Sequence, residues 1–169
     1  MSGLPKFFRR VMRGVRPHPP LGAESGPCWK LPHVERDLPA FVRALPRLLP
    51  EGGVFYMEGP AGQTPPEVRE FLEAHDVPDE VKLVRAILWP RPDIFHVPID
   101  EKIMSELADL LSHYETPAGT LQLQAYRDKQ ALLWAVSAFY DQPVIISKKV
   151  AEDNVRAFCS ALGCSYVEG

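Results

Sequence analysis

Apolar residues in this chain fall into short periodic runs separated by proline and glycine, and the period of each run predicts its element. Leu38, Phe41, Val42, Leu45, Leu48 and Leu49 recur at helical spacing behind Asp37, so a helix with an aspartate N-cap is expected, ended by Pro50 and Gly52-Gly53. Pro39 suits its first turn, whereas Pro46 is expected to kink it. Val54 to Met57 is a short apolar run of buried-strand type. After the loop Gly59-Pro60-Ala61-Gly62, Thr64 and Glu67 have capping-box spacing ahead of the stripe Val68, Phe71, Leu72 and His75, with proline at the first helical position. Leu83 to Trp89 reads as a strand, which completes a β-α-β unit for which a parallel pair with a right-handed crossover is the default.

The second half is patterned in the same way. Asp100 caps the most regular stripe in the chain, Ile103, Leu107, Leu110, Leu111 and Tyr114. Thr120 to Tyr126 sets Leu121, Leu123 and Ala125 against Thr120, Gln122 and Gln124, the alternation of a half-buried strand with one polar face. Ala131 to Phe139 fits either period; the turn Arg127-Asp128-Lys129 between two apolar runs favours a hairpin. Pro143 to Ile146 is a strand, Ala151, Val155, Phe158, Cys159 and Leu162 mark a final helix ended by Gly163, and Cys164 to Val167 is a short closing strand. The expected fold is α/β or α+β, a mixed sheet of about five or six strands with about four helices.

The beginning of the chain differs in kind. Leu4, Phe7, Phe8, Val11, Met12 and Val15 form an apolar stripe rimmed by Lys6, Arg9, Arg10, Arg13 and Arg16, an amphipathic basic helix suited to an anionic membrane surface, a partner protein or the domain's own core. Residues 17–33, from Pro17-His18-Pro19-Pro20 to Pro32-His33, show no period and read as a linker. The expected organisation is therefore a basic helix and linker over residues 1–33 and one globular domain over 34–169.

Composition changes this picture only in places. With 169 residues, 46% apolar and 24% charged, the chain has the length and balance of one globular domain with a full core. The net charge is −3 although residues 1–16 are purely basic, so the rest of the chain is acidic and an unsuitable partner for nucleic acid, whose affinity comes from phosphate neutralisation. Cys28, Cys159 and Cys164 are odd in number and lack C-x-x-C spacing, which argues against a disulfide scaffold and a zinc site and for a cytoplasmic setting. No run is long enough to span a membrane, and no secretory signal opens the chain.

Candidate chemistry is sparse. The Gly59 to Thr64 loop has the position of a phosphate cradle but lacks its lysine, and Pro65 and Pro66 remove two amide donors. Asp93, His96 and Asp100 form the candidate pocket, in which a carboxylate could orient an imidazole; as an extended segment, however, it would turn His96 outward and leave Asp100 as a helix cap. Cys28 is the thiol expected to be accessible, while Cys159 and Cys164 belong to apolar runs. No metal or cofactor is implied. The expected function is a non-catalytic intracellular binding or interaction domain, with the basic segment as its anchor; the alternative is a small enzyme whose site assembles near His96 from separated segments.

Overall fold

The computed structural model describes residues 26–78, 92–115, 122–135 and 143–169. The expected N-terminal helix, with Lys6, Arg9, Arg10, Arg13 and Arg16, the expected strand over 83–89 and the end of the 131–139 run lie outside the described residues. Seven strands and four helices are described: β1 (Cys28–Leu31), α1 (Leu38–Leu48), β2 (Val54–Gly59), α2 (Pro66–His75), β3 (Asp93–Pro98), α3 (Glu101–Leu111), β4 (Gln122–Arg127), β5 (Gln130–Ala135), β6 (Val144–Ser147), α4 (Glu152–Leu162) and β7 (Val167–Glu168). They form an α+β fold on one sheet of order β3-β2-β4-β5-β6-β1-β7, antiparallel at every pairing.

Several helix ends follow from local chemistry. Asp37 caps α1 by accepting from Ala40 N at 2.9 Å, and α1 continues through Pro46 to Leu48, because a proline in the last turn sacrifices one backbone bond near an end that would fray anyway. Asp100 caps α3, its Oδ1 accepting from Lys102 N at 2.9 Å and Ile103 N at 3.1 Å. Gly163 ends α4 in the left-handed conformation at φ +65°. The capping box at Thr64 and Glu67 does not form: Pro65 occupies the cap position without a side-chain bond. Pro66 holds the residue before it extended, so the helix starts one position later than Thr64 requires.

The expected parallel pair and mixed sheet are replaced by an antiparallel one. Both edges of β2 are occupied, by β3 on one side and β4 on the other, and both neighbours run antiparallel to it. A helical connection dictates a parallel pair only if it crosses back over the sheet; here the chain leaves α2 alongside β3, where Val77 N donates to His96 O at 2.8 Å. The β4–β5 hairpin is as the sequence indicates, a two-residue turn with Asp128 at φ 50° and Lys129 at φ 62° that matches the twist of its strands.

Residues 28–31, read as linker, form β1, which lies between β6 and β7 with Trp29 opposite Ile146 and Leu31 opposite Val144. Pro27 and Pro32 bracket this strand rather than exclude it, since each sits just outside the ladder. The strand includes Cys28, which is buried against Trp134 and Ile145 instead of accessible.

All four helices contribute buried side chains to one core, laid against the face of the sheet that carries Phe55, Met57, Phe95, Val97, Leu123 and Leu133. Phe41 of α1 meets Phe158 of α4 edge to face at 5.4 Å, and Arg43 of α1 bonds Ser105 and Asp109 of α3. Asn154 Nδ2 donates to Leu48 O at 3.3 Å, satisfying a carbonyl at the end of α1.

Candidate functional site

Because side chains alternate along a strand, the residues one position away from that core face point to the opposite side of the sheet. On β2, β3 and β4 this second face is polar and aromatic. Tyr56 stands opposite His96 on β3 and Gln124 on β4, Glu58 stands opposite Gln122, and Tyr126 follows on β4 beyond a bulge at Ala125/Tyr126. Such a face normally meets water, yet here Glu58 is 0%, Tyr56 and Gln124 2%, and His96 5% exposed.

The cluster is held by specific hydrogen bonds. The Tyr56 hydroxyl donates to Glu58 Oε2 at 2.7 Å, and the Tyr126 hydroxyl shares a 2.9 Å bond with His96 Nδ1 whose direction follows the imidazole tautomer. The His96 ring lies edge-on between the two phenols, 5.1 Å from Tyr56 and 5.8 Å from Tyr126. Its backbone is fixed from outside the sheet: His96 N donates to Asp76 Oδ1 at 2.7 Å and His96 O accepts from Val77 N. With both backbone groups turned away from β2, Tyr56 and His96 form the closer, non-hydrogen-bonded type of antiparallel pair, which brings their side chains together.

One polar atom of this cluster is left over. Gln124 Oε1 is buried and, like Trp29 Nε1 on β1, has no hydrogen-bond partner among the described residues, a condition that costs about 1–3 kcal/mol for a neutral group. Direct neighbours across an antiparallel pair have Cβ atoms about 4.5–5.5 Å apart, so this amide stands beside Tyr56 on one side and Trp134 on the other.

The residues singled out from the sequence are placed differently from one another. His96 is buried in the cluster, not turned to solvent. Asp93, an odd number of positions away on the same strand, belongs to the helix side, where Oδ2 accepts from Gly62 N at 2.9 Å and pairs with Arg69, whose guanidinium also lies 5.9 Å over Phe95. Asp93 thereby supplies an internal anion for the loop read as a phosphate cradle. Asp100 serves as the α3 cap. Among the described residues no group of three His, Cys, Asp or Glu is placed to hold a metal ion. No described helix is long and apolar enough to cross a membrane.

Tyr56, Glu58, Gln122, Gln124 and Tyr126 were not legible as site residues. The signal available was the alternation over 120–126, whose polar set has no reason by itself to be buried. Comparison of the chain with protein-family models, with curated proteins and with solved structures yields no match.

Proposed function

We propose that this chain is a binding domain that takes a small ligand bearing N–H donors against the Tyr56, Glu58, His96, Gln124 and Tyr126 face of its sheet. The carrying observation is Gln124 Oε1, a buried acceptor without a partner beside a fully buried carboxyl group. The Gln124 oxygen is an acceptor, so an amine, amidine or amide group supplies what it lacks, and the flanking Tyr56 and Trp134 rings suit a flat apolar body attached to it. Binding is favoured over acid-base catalysis because two of the three groups that β4 adds, Gln122 and Gln124, are carboxamides that do not titrate at any ordinary pH, the third being Tyr126. The alternative, proton transfer through His96, has its bond to Tyr126 in support. A docking role for the described surface has weaker support, since Tyr114 and Val167 are its exposed large hydrophobics.

Benzamidine is a suitable probe. The reading expects saturable changes in the backbone amide resonances of Tyr56, His96 and Gln124 on titration, lost in Gln124→Leu. The members are nearly all buried, so association slower than the usual 10⁵–10⁷ M⁻¹s⁻¹, roughly, is expected. Resonances that shift linearly without saturation, equally in wild type and Gln124→Leu, would refute the reading.

The basic segment carrying Lys6, Arg9, Arg10, Arg13 and Arg16 is proposed, on its sequence pattern, as a separate anchor for an anionic membrane surface. Sedimentation with anionic vesicles at low salt, reversed by added salt, is the expected behaviour. A reducing, cytoplasmic setting is proposed on the three free thiols.

A further inference from the structure

Helix α4 closes with two backbone bonds, Cys164 N to Cys159 O at 3.0 Å and Gly163 N to Ser160 O at 3.4 Å, around the left-handed Gly163. This is the Schellman pattern, whose first and last residues normally bring an apolar pair into contact over the helix end. In this chain both positions of that pair are cysteines, Cys159 within the apolar core and Cys164 packed against it. Cys159 is 3% exposed and faces the core, while Cys164 is partly open to solvent. Two cysteines joined backbone to backbone by the 3.0 Å bond, at the two positions whose side chains the motif brings together, meet the proximity a disulfide requires without displacing the helix.

We propose that Cys159 and Cys164 are a reversible redox pair, with Cys164 as the attacking thiol, Cys159 as the resolving thiol and a small-molecule disulfide of the glutathione type as oxidant. The division of roles follows from access, because an incoming disulfide reaches Cys164 and not Cys159. The electrostatics agree. Interaction with the Cys159 thiol lowers the Cys164 pKa from the ordinary thiol value, and the same interaction, followed by burial, raises that of Cys159. The Cys164 thiolate attacks one sulfur of oxidised glutathione, forming a mixed disulfide and releasing one glutathione thiolate. Cys159 then gives up its proton to solvent and attacks the Cys164 sulfur, which forms the Cys159–Cys164 bond, breaks the bond to glutathione and releases the second thiolate. Two protein thiols are oxidised, one glutathione disulfide is reduced, and the protons lost from the protein are taken up by the two products.

Oxidation would pin the end of α4 to the segment leading into β7. Tyr166 in that segment packs on Trp29 at 5.4 Å and donates to Glu152 at 2.9 Å, and Val167 and Glu168 pair with β1. The bond would thus tie one edge of the sheet covalently to the helix layer, at a place separate from the β2–β3–β4 cluster.

The test equilibrates the full chain with mixtures of reduced and oxidised glutathione, quenches it in acid, alkylates it after unfolding and maps its tryptic peptides. The peptide beginning at Ala157 holds both cysteines. Under oxidising mixtures it is expected to lose two hydrogens and resist alkylation, while Cys28 is alkylated in full. Cys159→Ala is expected to accumulate glutathione on Cys164, because nothing resolves it, and Cys164→Ser to leave Cys159 as a free thiol. Three results would overturn the proposal: glutathione persisting on Cys164 in the wild type, a disulfide between two chains through Cys164, or both thiols unchanged under excess oxidised glutathione.

Discussion

The two faces of the sheet are built from the same strands, one residue out of phase, and they are both buried, yet they obtain their burial on opposite terms. Phe55, Phe95, Leu123 and Leu133 face the helices in a continuous apolar core. Tyr56, Glu58, His96 and Gln124 face the other way and are as thoroughly removed from water. Removing apolar surface from water contributes about 25 cal/mol per Å², whereas removing a polar group returns little even when its hydrogen bond is made. Stability is therefore expected to reside on the helix side. On the proposed binding role the other side would supply selectivity, since polar groups fixed in a dry place discriminate strongly between partners that complement them and partners that do not.

The largest expected effect tests the first half of this contrast. Leu45→Ala, at a residue with no exposure on the helix side, should lower stability by about 2–5 kcal/mol in urea unfolding. Next, Tyr126→Phe removes the hydroxyl that bonds His96 and should cost about 1–2 kcal/mol, less than the core truncation although it lies at similar burial. If it cost more than Leu45→Ala, the polar cluster would be the main support of the fold and the contrast would be wrong. Gln124→Leu sharpens the same point, because it replaces an unsatisfied buried amide by an apolar group of similar shape. A gain of up to about 1 kcal/mol together with loss of the benzamidine response would show a group kept at the expense of stability. The smallest effect lies outside both faces: Lys129→Gly relieves a left-handed residue in the β4–β5 turn and should raise stability by about 0.5 kcal/mol, the strain relieved being partly offset by glycine's greater freedom when unfolded. Urea midpoints with unchanged slopes are the measurement in each case.

These faces also mark what the sequence could convey. Asp37, Asp100 and Gly163 signal helix ends through their own bonding capacity, and all three act as that capacity predicts. Thr64 fails for an equally local reason, the extended Pro65 before Pro66. The Gln122–Gln124 alternation indicates a strand with a polar side, but whether that side is wet depends on what covers it, which no period within the strand encodes. Cys28 and His96 are misjudged for the same reason. Cys28 sits in a segment with proline on either flank whose partners, Ser147 and its neighbours, lie at the far end of the chain, and His96 projects to the side of the sheet that an extended segment implies, but that side is buried. Of the candidate pocket, His96 belongs to the buried cluster, Asp93 to the opposite side of the same strand and Asp100 to the α3 cap.

The position of β1 has a consequence for how the chain is made. It is the first of the described strands in sequence, but its neighbours in the sheet are the sixth and seventh of them, with Cys28 opposite Ser147. During synthesis at roughly 5–20 residues per second, β1 leaves the ribosome on the order of ten seconds before β6 exists to receive it. Throughout that interval both of its edges and the Trp29 and Leu31 side chains stay without their native cover, while the β2–β4–β5 ladder, whose strands are closer in sequence, can begin to assemble. The sheet is thus finished by its earliest strand, and the closing event joins segments of such high sequence separation that it is expected to set the pace of refolding.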